Sequence, residues 1–516
     1  EWNAYYSGLA EPSEEVAMQK DMALMFVPSD EALKQYWEEG AGKILKNRYG
    51  SWENVPNNVI EKLINNNMLE SFISYGLPSK FGTIPNDNND PMGVSKDDIK
   101  GVWLGCNGAV MLTDRVYSPT DYVSVSYPTI VNENMKIIKW AIDDWEYKVY
   151  LNSLNSYYSF FIPTNNALLE YIDPCSYGKT TTQLFRFHYD NSKESVWASI
   201  WNYNVETKEV GDSIKEASYS QIRDRMDDIL NTHIVVGNVE DGKTYYRTKG
   251  GMEIRVNNVA LGENGMTVEG SYQMNEGQPI PVSFIYNQTP EVSGGNGKSY
   301  VLEGEPIMGT RKTVHDVLEE HTEFEEFYKL MVGSSLFETI HNRRNACGGT
   351  NISVFNTYHY TVYVPTNESI KALQQSGKLP TWEQVEQHEL DGNLTAKTRD
   401  SLAIMNFLQY HIQDNALFID SNDLGGDYET AVIDESTGRF YRVTVDVSDS
   451  SISIKDQLCK NDPTRTPAKV LKMAGLYNLV AREYQYGGTD AENASEIETT
   501  SSAVVHYIDK PLLINN

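Results

Sequence analysis

Cysteine is scarce in this sequence, with only Cys106, Cys175, Cys347 and Cys459 among its 516 residues, each far from the next. That spacing excludes a compact disulfide framework and a CxxC metal knuckle, and leaves four buried or free thiols as the expectation. Long apolar runs are missing too: none approaches the roughly 18 residues that a membrane-spanning helix needs. Basic residues are outnumbered, 43 Lys and Arg against 72 Asp and Glu, for a net charge of -29. Such a field repels phosphate backbones and anionic headgroups, so nucleic acid is a poor partner. The sequence starts on Glu1 without an initiator Met, and the expectation is that a targeting segment has been removed and that the protein is secreted.

Catalytic signatures are equally sparse. There is no Gly-x-Ser-x-Gly elbow and no His-Glu-x-x-His zinc pair. His315 and His321 lie on different faces of an apparent helix, so they do not share a metal as an i, i+4 pair does. Asp420-Ser421-Asn422-Asp423 begins like a calcium loop, but Leu424 stands at its fifth position and Ala431 at its twelfth, where ligands belong. Adjacent acids such as Asp143-Asp144 and Asp227-Asp228 point to different helix faces and do not make the facing carboxylates of a glycosidase. No catalytic residue, no metal ligand and no cofactor site is therefore expected.

What the sequence does have is a repeat. Hydrophobic residues make up 40% of the chain, enough for globular cores, and its length calls for two to four domains. One signature occurs three times, a β-prone run that stops at proline and hands over to a helix. The copies are Met25-Phe26-Val27-Pro28-Ser29, Phe160-Phe161-Ile162-Pro163-Thr164 and Val362-Tyr363-Val364-Pro365-Thr366. Proline has no N–H to continue a ladder, and the Ser or Thr after it can accept a bond from a free helical N–H. The last two copies are followed by a helix ending in His233 and in Tyr410-His411; the first has Asn65-Asn66-Asn67 there. The outer copies close on the strand-like runs 107–117 and 502–513, and the middle copy on a looser run, 297–307. The copies are unequally spaced, so insertions must sit in turn-rich segments, with 86–90, 293–298, 374–398 and 456–467 as the candidates.

Taken in order, the Pro-Thr-Asn turn, the Leu-x-Tyr-His-Ile helix end and the Val-x-His-x-Ile-Asp-Lys-Pro-Leu close resemble the fasciclin domain, most nearly in the third copy. The resemblance implies an α+β fold of three tandem fasciclin-like domains at 1–127, 128–310 and 311–516, each a small β-sandwich or β-wedge flanked by helices. In style the chain is similar to tandem fasciclin-domain surface lipoproteins of the Bacteroidota type. That likeness implies a non-catalytic binding or adhesion protein, lipid-anchored on the extracellular face of an outer membrane. It also implies an accessory role to a SusC/SusD-type transporter in glycan or peptide uptake. A surface glycan hydrolase and a structural spacer are the alternatives.

The resemblance points to Tyr410 and His411 as contact residues, since animal members use such a pair in adhesion, while the apolar flanks of His233 and His411 read as core. Composition supplies a second pair, Trp197 and Trp201. Flat amphipathic rings suit sugars or peptides, but period-two spacing also lets both bury with Ser199 on the inner face of a strand, and burial is the expectation.

Overall fold

A computed structural model describes residues 21–86, 91–145, 147–177, 179–334, 336, 359–462, 464–487 and 495–515. Cys347 and the start of the chain, with the expectations that bear on them, lie outside the described residues. The chain is a mixed α+β protein that divides into two compact units. One is Glu1–Phe160 with Ile285–Tyr300, the other Phe161–Phe284 with Val301–Asn516.

The first sheet is built from β1 (Ala23–Pro28), β2 (Met68–Leu69), β3 (Ile99–Leu104) and β4 (Gly108–Thr113), in the order β2-β1-β4-β3. The next strands are β5 (Tyr158–Pro163), β6 (Tyr171–Ile172), β7 (Gln183–Asp190), β8 (Ser195–Asn204) and β9 (Glu209–Glu216). They are followed by β10 (Ile234–Val236), β11 (Tyr245–Arg247), β12 (Glu253–Asn257), β13 (Thr267–Glu269), β14 (Ile280–Gln288) and β15 (Gly297–Leu302). These form a seven-stranded sheet, β10-β5-β15-β14-β13-β12-β11, and a separate four-stranded sheet, β6-β7-β8-β9. The last stretch holds β16 (His359–Pro365), β17 (Ile412–Asp414), β18 (Gly426–Asp434), β19 (Arg439–Val447) and β20 (Ile452–Lys455). With β21 (Ala468–Lys469), β22 (Leu479–Gly487) and β23 (Glu496–Ile508) they make an eight-stranded sheet, β21-β20-β19-β18-β17-β16-β23-β22.

The triple signature of the sequence is a triple structural motif. Pro28, Pro163 and Pro365 each end a strand, β1, β5 and β16. Each of these strands lies between the short strand that follows a helix (β2, β10, β17) and the closing strand (β4, β15, β23). In the outer copies the closing strand is parallel, with Pro28 opposite Thr113 and Pro365 opposite Ile508. The residue after each proline then turns the chain. Ser29 Oγ accepts from the Ala32 N–H at 3.2 Å, Thr164 Oγ1 from Ala167 at 3.3 Å and Thr366 Oγ1 from Ser369 at 3.3 Å. Replacing Thr366 with alanine is expected to cost about 1 kcal/mol, seen as a lower denaturation midpoint; an unchanged midpoint contradicts the capping role.

Packing follows the helix period. In the helix Leu394–Tyr410 the buried positions Ala396, Asp400, Ile404, Phe407 and Leu408 form one stripe, and Phe407 and Leu408 join Val362, Val364 and Val505 in the core of the second unit. In the first unit Tyr36, Trp37, Val59, Tyr122 and Tyr127 form a core in which the Trp37 and Trp52 rings stack at 4.3 Å.

Two of the expected insertions are corrected. The Gly-rich segment 293–298 is a close backbone crossing: a Cβ on Gly295 would stand 1.7 Å from the Val123 carbonyl oxygen, and one on Gly297 1.9 Å from that of Tyr158. Between them Asn296 is buried and donates to the carbonyls of Leu151 and Ser153. Segment 374–398 is mostly helical, with Trp382–Leu390 inside it. The larger insertion is the sheet β6 to β9, which stands between the proline turn and the helix Tyr219–His233 of the middle copy. The outer copies place helices there instead, Asp30–Glu38 and Lys43–Tyr49 in the first, Asn367–Gln375 and Trp382–Leu390 in the third.

Candidate functional site

Successive strand residues face opposite ways, so the inserted sheet has two faces, although Leu184, opposite Trp201 in the ladder, is buried too. Phe185 and Phe187 on β7, with Val196, Ala198 and Ile200 on β8, are buried. Phe187 pairs across the ladder with Ala198, whose small side chain leaves space for the ring, and Arg225 of the helix Tyr219–His233 lies over Phe185 at 5.3 Å. With the inner face filled, the alternate residues are forced outward.

Those alternate residues are Arg186 and His188 on β7 and Trp197, Ser199 and Trp201 on β8. Trp197 and Trp201 therefore share one face with Ser199, as their spacing requires, but Trp197 is exposed, which corrects the expectation of burial for that ring, while Trp201 is half-buried. His188 is opposite Trp197 in the ladder, and their rings stack at 4.3 Å and 22° with Trp197 left 40% exposed. Arg186 lies over the Trp201 ring at 5.0 Å, and Trp201 Nε1 donates to Ser199 Oγ at 2.9 Å. Burial, and secondly the charge of Arg186, holds the His188 pKa below its ordinary value, so a neutral imidazole backs Trp197 near pH 7. The result is a row of fixed, flat, amphipathic rings with a guanidinium among them, able to take an apolar ring face while bonding to polar edges.

Tyr410 and His411 are placed elsewhere. Tyr410 is buried in the core of the eight-stranded sheet, where its hydroxyl accepts from the Gln457 N–H at 2.8 Å. His411 is fully buried. Its Nε2 accepts from the Leu512 N–H at 3.0 Å, which fixes the proton on Nδ1, and Nδ1–H donates to the Phe407 carbonyl at 2.7 Å. The middle copy repeats the bracket, His233 accepting from Ile307 N–H at 2.9 Å and donating to Ile229 at 2.6 Å. Each imidazole thus ties the end of its helix to the chain beyond the closing strand. In the first copy Asn67 holds the corresponding place, donating to the carbonyls of Leu63 at 2.9 Å and Tyr117 at 2.8 Å.

Sequence reasoning missed a second use of His315. Its partner is Glu319, one turn on, and ligand atoms of His315, Asp316 and Glu319 lie within 4.8 Å of one another. Hydrogen bonds already occupy this group: Tyr328 Oη is 3.1 Å from His315 Nε2 and donates to Glu319 at 3.0 Å, while Asp316 caps the Thr313 N–H. The residues of the calcium-like loop join the second and third copies within the second unit, Asp420 accepting from Thr244, Asn422 donating to Asp241 and Asp423 accepting from Arg247. Among the described residues Cys106, Cys175 and Cys459 are free thiols, and no helix is long and apolar enough to cross a membrane.

No protein-family model matches the sequence, and no curated protein matches it. Among solved structures the chain is similar to the one described as "Novel Fold Revealed by the Structure of a FAS1 Domain Pair from the Insect Cell Adhesion Molecule Fasciclin I". The identity is 16%, over 74% of this chain and 98% of that one, with a TM-score of 0.24. At that score the likeness carries no argument of its own.

Proposed function

We propose that this chain is a non-catalytic binding or adhesion protein of three fasciclin-type domains, with boundaries near residues 127 and 310. In this reading it sits lipid-anchored on the outer face of a bacterial outer membrane and serves a SusC/SusD-type transporter by holding glycan, or secondarily peptide, near it. The observation that carries the reading is the inserted sheet β6 to β9, present only in the middle copy among the described residues, whose outer face presents Trp197, 40% exposed, beside the half-buried Trp201. The insertion adds surface that the outer copies lack, and it leaves one large ring, Trp197, 40% exposed on that surface.

The test is to screen the intact chain against soluble glycans and peptides by affinity electrophoresis and calorimetry, alongside Trp197→Ala and the double variant Trp197→Ala/Trp201→Ala. Each truncation is expected to weaken binding by about tenfold or more while circular dichroism stays unchanged. Affinity for a glycan or peptide that is undiminished in the double variant, or no binding to any glycan or peptide, overturns the assignment to this face.

A further inference from the structure

Within the second unit, a cleft of about 220 Å³ lies where β11 and β12 of the middle copy meet the 418–423 loop of the third. Its apolar side is Val236, 56% exposed, and the ring of Tyr245, which stacks on Phe418 at 5.2 Å. Its polar side is an ion triad. Arg247 Nε donates to Glu253 Oε1 at 3.2 Å and Nη2 to Asp423 Oδ1 at 3.3 Å, and the same guanidinium donates to the Ala416 carbonyl at 2.6 Å. Asn422, donating to Asp241 at 2.8 Å, also lines the cleft.

These features select among ligands. An anion would meet the Asp423 carboxylate and the Glu253 carboxyl, with the one cation already engaged by both, so it is opposed. A wholly apolar ligand would strip water from the triad without replacing its hydrogen bonds. A molecule with hydroxyls on one side and C–H groups on the other satisfies both walls, donating to carboxylate oxygens while its apolar face lies on Tyr245. The volume is below the roughly 300–1,000 Å³ of sites for drug-sized ligands, which limits the occupant to about one ring. We propose that this cleft binds a single neutral sugar ring, through Glu253 and Asp423 on one side and Tyr245 on the other. The site is separate from the aromatic face of β7 and β8, and the proposal does not depend on that face binding anything.

The experiment is a saturation-transfer NMR screen of the intact chain with neutral hexoses, deoxyhexoses and N-acetylhexosamines, each beside its uronic acid where one exists, followed by calorimetric titration. Val236→Trp is the main variant, because it adds bulk to the cleft from an exposed position; Glu253→Gln is the second, keeping shape while weakening an acceptor. At least one neutral sugar is expected to bind saturably. Its Kd should rise about tenfold or more in either variant and stay unchanged in Trp197→Ala/Trp201→Ala. Failure of every neutral sugar at tens of millimolar, preference for a uronic acid over its neutral parent, or undiminished binding in Val236→Trp would overturn the proposal. Loss of binding in the tryptophan variant instead would place the sugar on the other face and overturn it equally.

Discussion

Replacing Arg225 with methionine is expected to destabilise the second unit by about 3–5 kcal/mol. The side chain is completely buried, and its guanidinium forks onto Asp173, Nε to Oδ1 at 2.9 Å and Nη2 to Oδ2 at 3.1 Å, with Nη1 reaching Asp224 at 2.8 Å. Burial alone would disfavour the charge on Arg225; the field of Asp173 beside it more than restores it. Removing the cation leaves the Asp173 carboxylate desolvated with its strongest partner gone, and that orphaned charge is the source of the loss. The cost therefore belongs to breaking the pair and not to the net value of having one. Adding Asp173→Asn to Arg225→Met should recover a large part of it, since asparagine removes the charge and can keep the turn bond to the Cys175 N–H. Thermal melts of the three proteins check this. A single variant within about 0.5 kcal/mol of the parent, or a double variant no better than the single, contradicts the role given to the pair.

Acidification is expected to weaken the fold steeply between pH 6.5 and 4, through three histidines that are buried as neutral rings. His233 and His411 each use Nε2 to accept a backbone N–H, and His506 uses Nδ1 to accept from Asn478 at 3.2 Å while Nε2–H donates to Leu417 at 2.7 Å. A protonated imidazole has no acceptor, so protonation breaks one of these bonds in each case. Burial lowers His233 to about 3, and His411 and His506 to about 4, from an ordinary value near 6.5. A group depressed in the folded state stabilises it fully above the unfolded pKa and loses that contribution as pH falls toward the folded one. The loss is on the order of 3 kcal/mol per ring. Two carboxyls act with the opposite sign, the buried Glu253 raised to about 7 and the half-buried Asp224 to about 6, both by desolvation first. They give stability at low pH that is lost as pH rises through those values, and so offset part of the histidine effect. Melting temperature against pH should drop across this window, and His411→Asn, which imitates the first copy, should shallow the drop. A flat profile from pH 6.5 to 4 would count against the neutral brackets.

The proline turns were legible because their chemistry is local: a residue without an N–H ends a strand, and the hydroxyl beside it caps the next helix. The burial of His233 and His411 was legible for a similar reason, from apolar neighbours at helix spacing. That Asn67 does the same work was not, because an amide reaching the carbonyl four residues back leaves no mark distinct from any other asparagine. The face of Trp197 and Trp201 also escaped sequence reasoning. Period two places 197, 199 and 201 together, but which side is buried depends on the helix bearing Arg225, a contact distant in sequence. The pattern Val196-Ala198-Ile200 against Phe185 and Phe187 was the available signal, and it becomes decisive only once β7 and β8 are paired in register. The same holds for Glu253 and Asp423, which are brought to one cleft by the packing of two copies.

The most direct test is to incubate the purified chain with the glycan that it retains best, separate the mixture by size, and analyse the recovered glycan by mass spectrometry. Wild type should hold the glycan and return it intact, while Trp197→Ala/Trp201→Ala should retain about a tenth as much or less. Shortened glycan that vanishes when one carboxylate, such as Glu253, is replaced by its amide would make the protein a hydrolase and contradict the central claim.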